Sequence, residues 1–214
     1  MKSESTVTVV GIDVGGRRKG FHAVALRNGR FHEQFTSKEV APLISWCVEK
    51  IRAAVIAVDA PCRWSKTEKS RPAERELHGK GVHCFFTPTR QIAIAHPKNN
   101  FGWMFNGETV FKRLEQTHPL ALSRLKSGSR YCFETFPHAI TWHLRGGHAD
   151  AKHKRTQRRQ LLEIHGIEMV TLTNIDWVDA ALCALTAHKA ASGELMENYG
   201  EAQTGLIIVP ATRR

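Results

Sequence analysis

Apolar runs separated by turn signals dominate the first 60 residues of the chain. The dipeptide Asn28-Gly29 lies between two alternating segments and is a strong two-residue hairpin signal. Ser37 is placed to cap a helix over residues 38–52, where apolar residues recur on one face. Four strands are predicted here: residues 7–15, 19–26, 30–35 and 53–58. The chain therefore opens as an antiparallel meander, followed by a helix and a fully buried strand.

The periodicity weakens between residues 60 and 128 and then returns. This stretch has a short helix at 71–78, a loop-like part at 79–100 and a helical pattern at 107–125 that Pro119 should break or kink. The elements expected after it are a fifth strand at 130–133, helices at 137–144, 152–165 and 175–191, a short strand at 168–172 and a strand-like run at 205–210.

This order predicts an α/β fold in one domain, residues 1–214, with an insert over about 60–128. The mixed sheet has five strands, an antiparallel meander followed by parallel strands, flanked by helices. The turn after the first strand lacks both the G-x-G-x-x-G spacing and a Walker lysine. A dinucleotide-binding domain or P-loop NTPase is therefore a poor match.

Composition indicates the partner and the compartment. The 214 residues are 42% hydrophobic, enough for a substantial core, and carry a formal charge of +11 with a pI of about 9.8. Such a charge fits a polyanion, nucleic acid first, although a basic protein without such a partner is the alternative. Five cysteines, odd in number and without a C-x-x-C motif, suit a reducing compartment. No run is long enough to span a membrane, and we expect a cytoplasmic, soluble protein.

Four acidic residues stand at the mouths of apolar runs: Asp13, Asp59, Glu134 and Asp179. A carboxylate at the exit of a core strand is costly unless something pairs with it. Four of them, far apart in sequence, predict one convergent site, and a hard divalent cation is the partner that would hold them together.

Each acid also has a purely structural interpretation. Asp13 precedes Gly15-Gly16 and Asp59 precedes Ala-Pro, so either is able to serve as a turn residue. Asp179 lies near a helix start, where the helix dipole favours an acid regardless of function. Asp176, the predicted cap of that helix, is a weaker ligand candidate.

Two basic clusters are candidates for phosphate contacts. On the predicted helix 152–165, Lys154, Arg155, Arg158 and Arg159 would share one broad face. Arg17, Arg18 and Lys19 directly follow the Asp13 turn. Either cluster is also consistent with an ordinary solvated surface. The apolar segment starting at Phe85-Phe86 would serve as a lid, a base-stacking platform or core packing.

A set of ordered motifs spans nearly the whole chain: Gly11-Ile12-Asp13-Val14-Gly15-Gly16, Val58-Asp59-Ala60-Pro61, Arg75-Glu76-Leu77, Phe85-Phe86-Thr87-Pro88-Thr89-Arg90, Phe133-Glu134-Thr135-Phe136-Pro137, Lys154-Arg155-Thr156-Gln157-Arg158-Arg159 and Asp176-Trp177-Val178-Asp179-Ala180. In this set the chain resembles the bacterial and archaeal family called domain of unknown function 429, often described as predicted nucleases. That resemblance implies a ribonuclease-H-like fold. It also implies Mg²⁺ or Mn²⁺ at the acids, with Asp13 bridging two ions, Asp59 and Glu134 each completing one coordination shell, and Asp179 as the final ligand.

Three functions follow from these observations. The first is a metal-dependent nuclease that hydrolyses phosphodiester bonds by a two-metal-ion mechanism. The second is a non-catalytic nucleic-acid-binding protein on the same fold. A phosphotransferase of the actin and sugar-kinase type ranks last, because the chain lacks a second Gly-rich phosphate loop. The insert at 60–128 is expected to set substrate choice.

Overall fold

A seven-stranded mixed sheet forms the centre of the computed structural model, which describes residues 6–122 and 128–212. The strand order is β3-β2-β1-β4-β5-β7-β6. Strands β1 to β3 form the antiparallel meander, and β4, β5 and β7 run parallel to β1. The strands are β1 (Thr8–Val14), β2 (Phe21–Arg27), β3 (Arg30–Ser37), β4 (Val55–Asp59), β5 (Tyr131–Glu134), β6 (Met196–Glu201) and β7 (Gly205–Pro210).

Helices cover both faces of the sheet. Helices α1 and α4 pack on one face, and α7, assisted by α5 and α6, packs on the other. The helices are α1 (Val40–Ser45, continued by a π-helical turn at Trp46–Lys50), α2 (Pro72–Gly79), α3 (Arg90–Ala95), α4 (Gly102–Leu114), α5 (Pro137–Leu144), α6 (Lys154–Ile164, after a 3-10 turn at Ala151–His153) and α7 (Ile175–Ala191).

The predicted fold class is confirmed: an antiparallel meander followed by parallel strands, in the arrangement typical of ribonuclease-H-like proteins. Several details differ from the expectation. The sheet has seven strands rather than five, because residues 205–210 form the strand β7 and β6 pairs with it. The weakly apolar pattern of β6 gave no strand signal. Residues 168–172 form a turn region and not a strand.

The insert between β4 and β5 contains more helix than predicted. Helix α3 occupies part of the segment expected to be a loop, with Thr89 as its N-cap. The helix expected over 107–125 instead spans Gly102–Leu114 and stops before Pro119, whose ring is incompatible with a helix interior. Residues 123–125 of that expectation lie outside the described residues. No helix in the described ranges is long and apolar enough to cross a membrane.

Helix α7 lies unusually close to β1 because of one glycine. A Cβ at Gly11 would stand 2.0 Å from the backbone nitrogen of Ala184 and 2.2 Å from the carbonyl oxygen of Ala180. Only glycine fits at this position, because no helix could pack so closely over a side chain. This contact fixes the height of α7 above the sheet and thereby the position of Asp179, one residue before Ala180.

Candidate active site

Asp13 and Asp59 lie side by side at the carboxyl ends of two parallel strands. They are register partners across β1 and β4, and neighbouring strands are about 4.8 Å apart. Alternation along the strands puts both side chains on the same face as Gly11, the face that α7 covers. The two acids predicted from separate apolar runs therefore converge.

Asp179 joins this pair from α7. It is buried, and Arg158 of α6 donates a hydrogen bond from Nη1 to Asp179 Oδ1 at 2.5 Å. Arg158 is itself only 5% exposed. A buried ion pair of this kind fixes geometry more reliably than it adds stability. Arg158 thus holds the third carboxylate near the first two.

The electrostatics of the three acids reflect their proximity. Burial is the largest cause that raises the pKa of Asp13, and the charges of Asp179 and Asp176 add to it, so that the pKa reaches about 8. Burial, followed by the charges of Asp13 and Asp179, raises the pKa of Asp59 well above its ordinary value. Burial also raises the pKa of Asp179, and the Arg158 guanidinium opposes that change. The cluster therefore favours any cation that lets all three acids ionise.

A second group of donors adjoins Asp13 on the β2 side. One ligand atom each from Asp13, His22 and Asp176 lies within 4.8 Å of the other two. His22 Nδ1 is buried and has no hydrogen-bond partner in the part of the chain that the structure describes. Lys19 Nζ donates hydrogen bonds to both carboxylate oxygens of Asp176, at 2.8 Å to Oδ1 and 3.1 Å to Oδ2. An ammonium group therefore lies beside this donor set. Oxygen donors with one imidazole suit a divalent ion such as Mn²⁺, so the residues present fit the expected metal.

Glu134 is held in a different way from the other three predicted ligands. It pairs with Val58 in the sheet, one position before Asp59, so its side chain leaves on the opposite face. Arg71 binds it with two hydrogen bonds, Nη2 to Oε1 at 2.6 Å and Nη1 to Oε2 at 2.9 Å. The backbone N–H of Cys62 donates to it at 2.8 Å. Glu134 nevertheless lines the same pocket as Asp13 and Asp59, and its charge contributes to the raised pKa of Asp59, so its expected role as a metal ligand stays a prediction.

Arg71 is a residue that the sequence analysis missed. It is 1% exposed and also donates from Nε to Glu74 Oε1 at 2.8 Å. The second oxygen of Glu74 accepts from the backbone N–H of Arg71 and of Thr87, both at 3.1 Å. This network fastens the insert to the end of β5. The sequence did contain a signal for this network. Glu74 follows Arg71 by three residues, which is the spacing of a helix-capping box.

The predicted basic face of α6 is divided in the structure. Lys154 is exposed and lines the pocket above the acids, whereas Arg158 is buried against Asp179. Arg155 and Arg159 point elsewhere and donate to the carbonyl oxygens of Thr173 and Leu172 at 2.8 Å and 2.9 Å. Each i, i+4 pair shares one side of the helix, and the two sides differ in function. Arg155 and Arg159 hold a loop, so the four basic residues do not form the one broad face expected from the sequence.

The turn after β1 presents the other predicted basic residues. Arg17 and Arg18 are exposed at its tip, and Lys19 reaches back to Asp176. Asn106 of α4 donates to the carbonyl oxygen of Gly15 at 2.8 Å, which ties the turn to the insert. Asp176 lies in the first turn of α7, but Asn174 rather than Asp176 is the N-cap, accepting from the Trp177 N–H at 2.9 Å.

A pocket of about 340 Å³ opens above the carboxyl ends of β1, β4 and β5. Asp13, Asp59, Lys19 and Lys154 contribute to its floor and rim. The insert supplies its other wall through Phe85, Thr87, Trp103 and the Arg71–Glu74 pair, with Glu134 beside them. Ligand sites in α/β proteins lie at this end of the strands.

Comparisons with known proteins found solved structures and one family model that are similar to this chain. Two solved structures of RuvC from Thermus thermophilus, one of them in complex with Holliday junction substrate, are similar at 15% identity. Both cover 87% of this chain, and 97% and 96% of the respective RuvC chains, with TM-scores of 0.46 and 0.45. These values are too low to transfer residue roles. No curated protein matches significantly. The family model described as "Protein of unknown function (DUF429)" matches residues 11–204, and the chain therefore belongs to the DUF429 family.

Proposed function

We propose that this protein is a divalent-metal-dependent nuclease, a phosphodiester hydrolase that uses Mg²⁺ or Mn²⁺ at Asp13, Asp59 and Asp179. The observation that carries the proposal is the convergence of these acids at one end of the sheet with a single buried cation, Arg158, bonded to one of them. An excess of buried negative charge in a protein of net charge +11 is costly, and strongly perturbed acids of this kind gather at functional sites.

The donor set suits this chemistry. Bound divalent ions supply an activated water and stabilise the leaving oxygen in phosphodiester hydrolysis. Asp13 lies between two groups of donors, with Asp59 and Asp179 on one side and His22 and Asp176 on the other. Arg158 keeps Asp179 oriented toward the cluster. Asp13 is therefore the residue whose loss should affect the site most.

Lysines at the pocket rim supply the phosphate contacts in this proposal. Lys19 and Lys154 both line the pocket that contains Asp13 and Asp59, and both side chains reach solvent. A phosphodiester that enters would meet both ammonium groups beside the acids. Arg17 and Arg18 extend the positive charge outward from the same turn. Such contacts position a nucleic-acid backbone without reading its sequence.

Glu134 takes a different role in this proposal from that implied by the resemblance. Both of its oxygens already accept strong hydrogen bonds from Arg71. A metal ion at Glu134 would place a second cation against the buried Arg71 guanidinium, which is unfavourable. We therefore assign Glu134 to anchoring the insert, not to binding the metal.

The test combines metal binding with cleavage. Mn²⁺ titration by calorimetry should show binding to the wild type that Asp13→Asn abolishes and that the control Asp150→Asn, an exposed acid that does not line the pocket, retains. Labelled single-stranded and duplex DNA and RNA are then incubated with Mg²⁺ or Mn²⁺. Cleavage by the wild type and the control, but not by Asp13→Asn, supports the nuclease.

Two other results would contradict the proposal. Intact turnover in a folded Asp13→Asn variant would remove Asp13 from the chemistry. Salt-dependent binding of nucleic acid with no product under either metal would favour the alternative, a non-catalytic nucleic-acid-binding protein.

A further inference from the structure

The wall of the pocket opposite the acids carries an exposed aromatic side chain. Phe85 is 75% exposed and yet lines the pocket, with the ring of Trp103 at 5.9 Å and 63° to it. Phe86, its neighbour in sequence, is 41% exposed but is not part of the pocket wall. Exposing a phenylalanine to water is unfavourable, and its place in a pocket wall marks a surface for an apolar, flat partner.

Thr87 adds an unused polar group to the same wall. Its side chain is buried, with the residue 1% exposed, and its hydroxyl Oγ1 has no hydrogen-bond partner among the described residues. Its backbone N–H is already engaged by Glu74, which fixes the position of the residue. A buried hydroxyl without a partner is rare, and it indicates a group that is satisfied by something that enters the pocket.

The pocket therefore presents three kinds of contact within one space. Phe85 and Trp103 offer aromatic faces, Thr87 offers a donor and acceptor, and Lys19 and Lys154 offer positive charge. A ligand that satisfies all three has a flat π-system, a polar edge and an attached phosphate. A nucleotide combines these features, and its base is free to stack on a side chain only when it is unpaired and unstacked from its neighbours.

We propose that this pocket binds an unpaired nucleotide of a nucleic-acid strand, with its base against Phe85 and Trp103 and its polar edge toward Thr87. The inference rests on the proposed function and narrows it to single-stranded or locally unpaired substrate. It also gives the insert a role: the segment fastened by Arg71 and Glu74 supplies the base-binding wall, whereas the sheet supplies the acids.

The experiment measures binding without requiring turnover. Fluorescence anisotropy with Ca²⁺ follows a labelled 12-nucleotide oligothymidylate and a 12-base-pair duplex as they bind wild type, Phe85→Leu, Thr87→Val and the control Phe86→Leu. Stacking on one aromatic side chain changes affinity by about 5- to 100-fold. We expect Phe85→Leu to weaken oligothymidylate binding in that range and Thr87→Val to weaken it several-fold. We expect Phe86→Leu to match the wild type and the duplex to bind all four proteins equally.

A spectroscopic measurement identifies the contact itself. An oligonucleotide with one 2-aminopurine should lose fluorescence on binding the wild type, because stacking quenches the base, and should keep it with Phe85→Leu. The inference is overturned if Phe85→Leu binds single strands like the wild type, or if Phe85→Leu and Phe86→Leu weaken binding equally.

These outcomes separate the inference from the proposed function. Metal-dependent cleavage that Asp13→Asn abolishes but Phe85→Leu leaves unchanged would refute the base-binding pocket and keep the nuclease. Phe85-dependent binding of single strands with no Mn²⁺ binding and no cleavage would keep the pocket and refute the nuclease.

Discussion

Asp13 and Asp59 stand directly opposite each other on the parallel strands β1 and β4, and within the described parts of the chain neither carboxylate accepts a hydrogen bond. Two acids at adjacent positions of a buried sheet repel each other unless one is protonated or a cation lies between them. The protein keeps this unfavourable pair at the open end of a pocket with two lysines at its rim. Four of the predictions below follow from this pair and the groups around it.

The first prediction is that ionisation of Asp13 lowers the free energy of unfolding as the pH rises. The pKa of Asp13 is raised from 3.8 to about 8 by burial and by Asp179 and Asp176. Between these two pH values the folded state binds more protons than the unfolded state, so the free energy of unfolding falls as pH rises. One pKa unit corresponds to about 1.4 kcal/mol. Asp13→Asn, which is neutral at every pH, should therefore be more stable than the wild type at pH 8 by a few kcal/mol.

Chemical denaturation in EDTA at pH 5 and pH 8 measures this effect. The difference between Asp13→Asn and the wild type should shrink at pH 5, where Asp13 is protonated in the folded state. Equal stabilities at pH 8 would show that Asp13 ionises there without penalty.

The second prediction concerns the anchoring role of Glu134. Glu134→Gln keeps the shape of the side chain but removes the charge that pairs with Arg71. We expect unfolding free energy to fall by about 1–3 kcal/mol, the cost of weakening a buried charged hydrogen bond. Mn²⁺ affinity should stay within about twofold of the wild type if, as proposed, the metal's donors come from the other carboxylates.

Glu115→Gln is the matched control, because its partner Arg63 lies at 3.3 Å on the surface. A pair of that kind contributes about 0–1 kcal/mol. Loss of Mn²⁺ binding in a folded Glu134→Gln variant would restore Glu134 as a metal ligand.

The third prediction concerns the contact that sets the height of α7. In Gly11→Ala, the new Cβ would meet the Ala184 backbone nitrogen at 2.0 Å, so the helix must move away from β1. Overpacking of this kind costs about 1–3 kcal/mol or more. Because the same movement carries Asp179 away from Asp13, Mn²⁺ affinity should fall as well. Calorimetry and thermal melts measure both effects.

Gly79→Ala serves as the comparison, since nothing lies within 4 Å of a Cβ built there. It should leave stability and metal affinity essentially unchanged. A Gly11→Ala protein with wild-type metal affinity would show that α7 tolerates the shift without moving Asp179.

The fourth prediction concerns ion preference. His22 contributes one ring nitrogen to the donor set that it forms with Asp13 and Asp176. Nitrogen donors favour transition ions over Mg²⁺. His22→Gln should therefore weaken Mn²⁺ binding more than Mg²⁺ binding, and electron spin-echo spectroscopy should detect a nitrogen coupled to Mn²⁺ in the wild type alone. Parallel losses for both ions would indicate that His22 only supports Trp177, whose ring it contacts edge-on.

The fifth prediction separates the two sides of α6. Lys154→Ala removes a charge at the pocket rim, so the logarithmic salt dependence of nucleic-acid binding should become shallower by about one phosphate contact. Arg159→Ala removes a hydrogen bond to the Leu172 carbonyl, so it should lower the melting temperature and leave the salt dependence unchanged. The reverse pattern would mean that the side of α6 with Arg155 and Arg159, and not the side with Lys154, contacts the nucleic acid.

Local sequence patterns were enough to predict the first elements of the fold, from β1 to β4, and the acids at the ends of two of these strands. The Asn28-Gly29 turn and the apolar runs ending in Asp13 and Asp59 were sufficient to predict the meander, the buried strands and two neighbouring acids. These features depend on hydrophobic periodicity and turn conformation, and both are properties of a short segment of the sequence. The four candidate acids and the net positive charge were likewise evident from the sequence before the fold was known.

The tertiary structure decided which of these groups meet. Strand alternation and register, set by pairing between distant segments, direct Glu134 away from Asp13 and toward Arg71. Close packing of α7 over Gly11 brings Asp179 near Asp13. Arg158 is buried in the fold and donates a hydrogen bond to Asp179. A contact between residues far apart in the chain depends on how elements pack, and packing has no local pattern in sequence. The sequence therefore predicted the acids, their convergence and an aromatic segment near them, whereas the partners Arg158 and Arg71 and the place of Phe85 in the pocket wall emerged only from the fold.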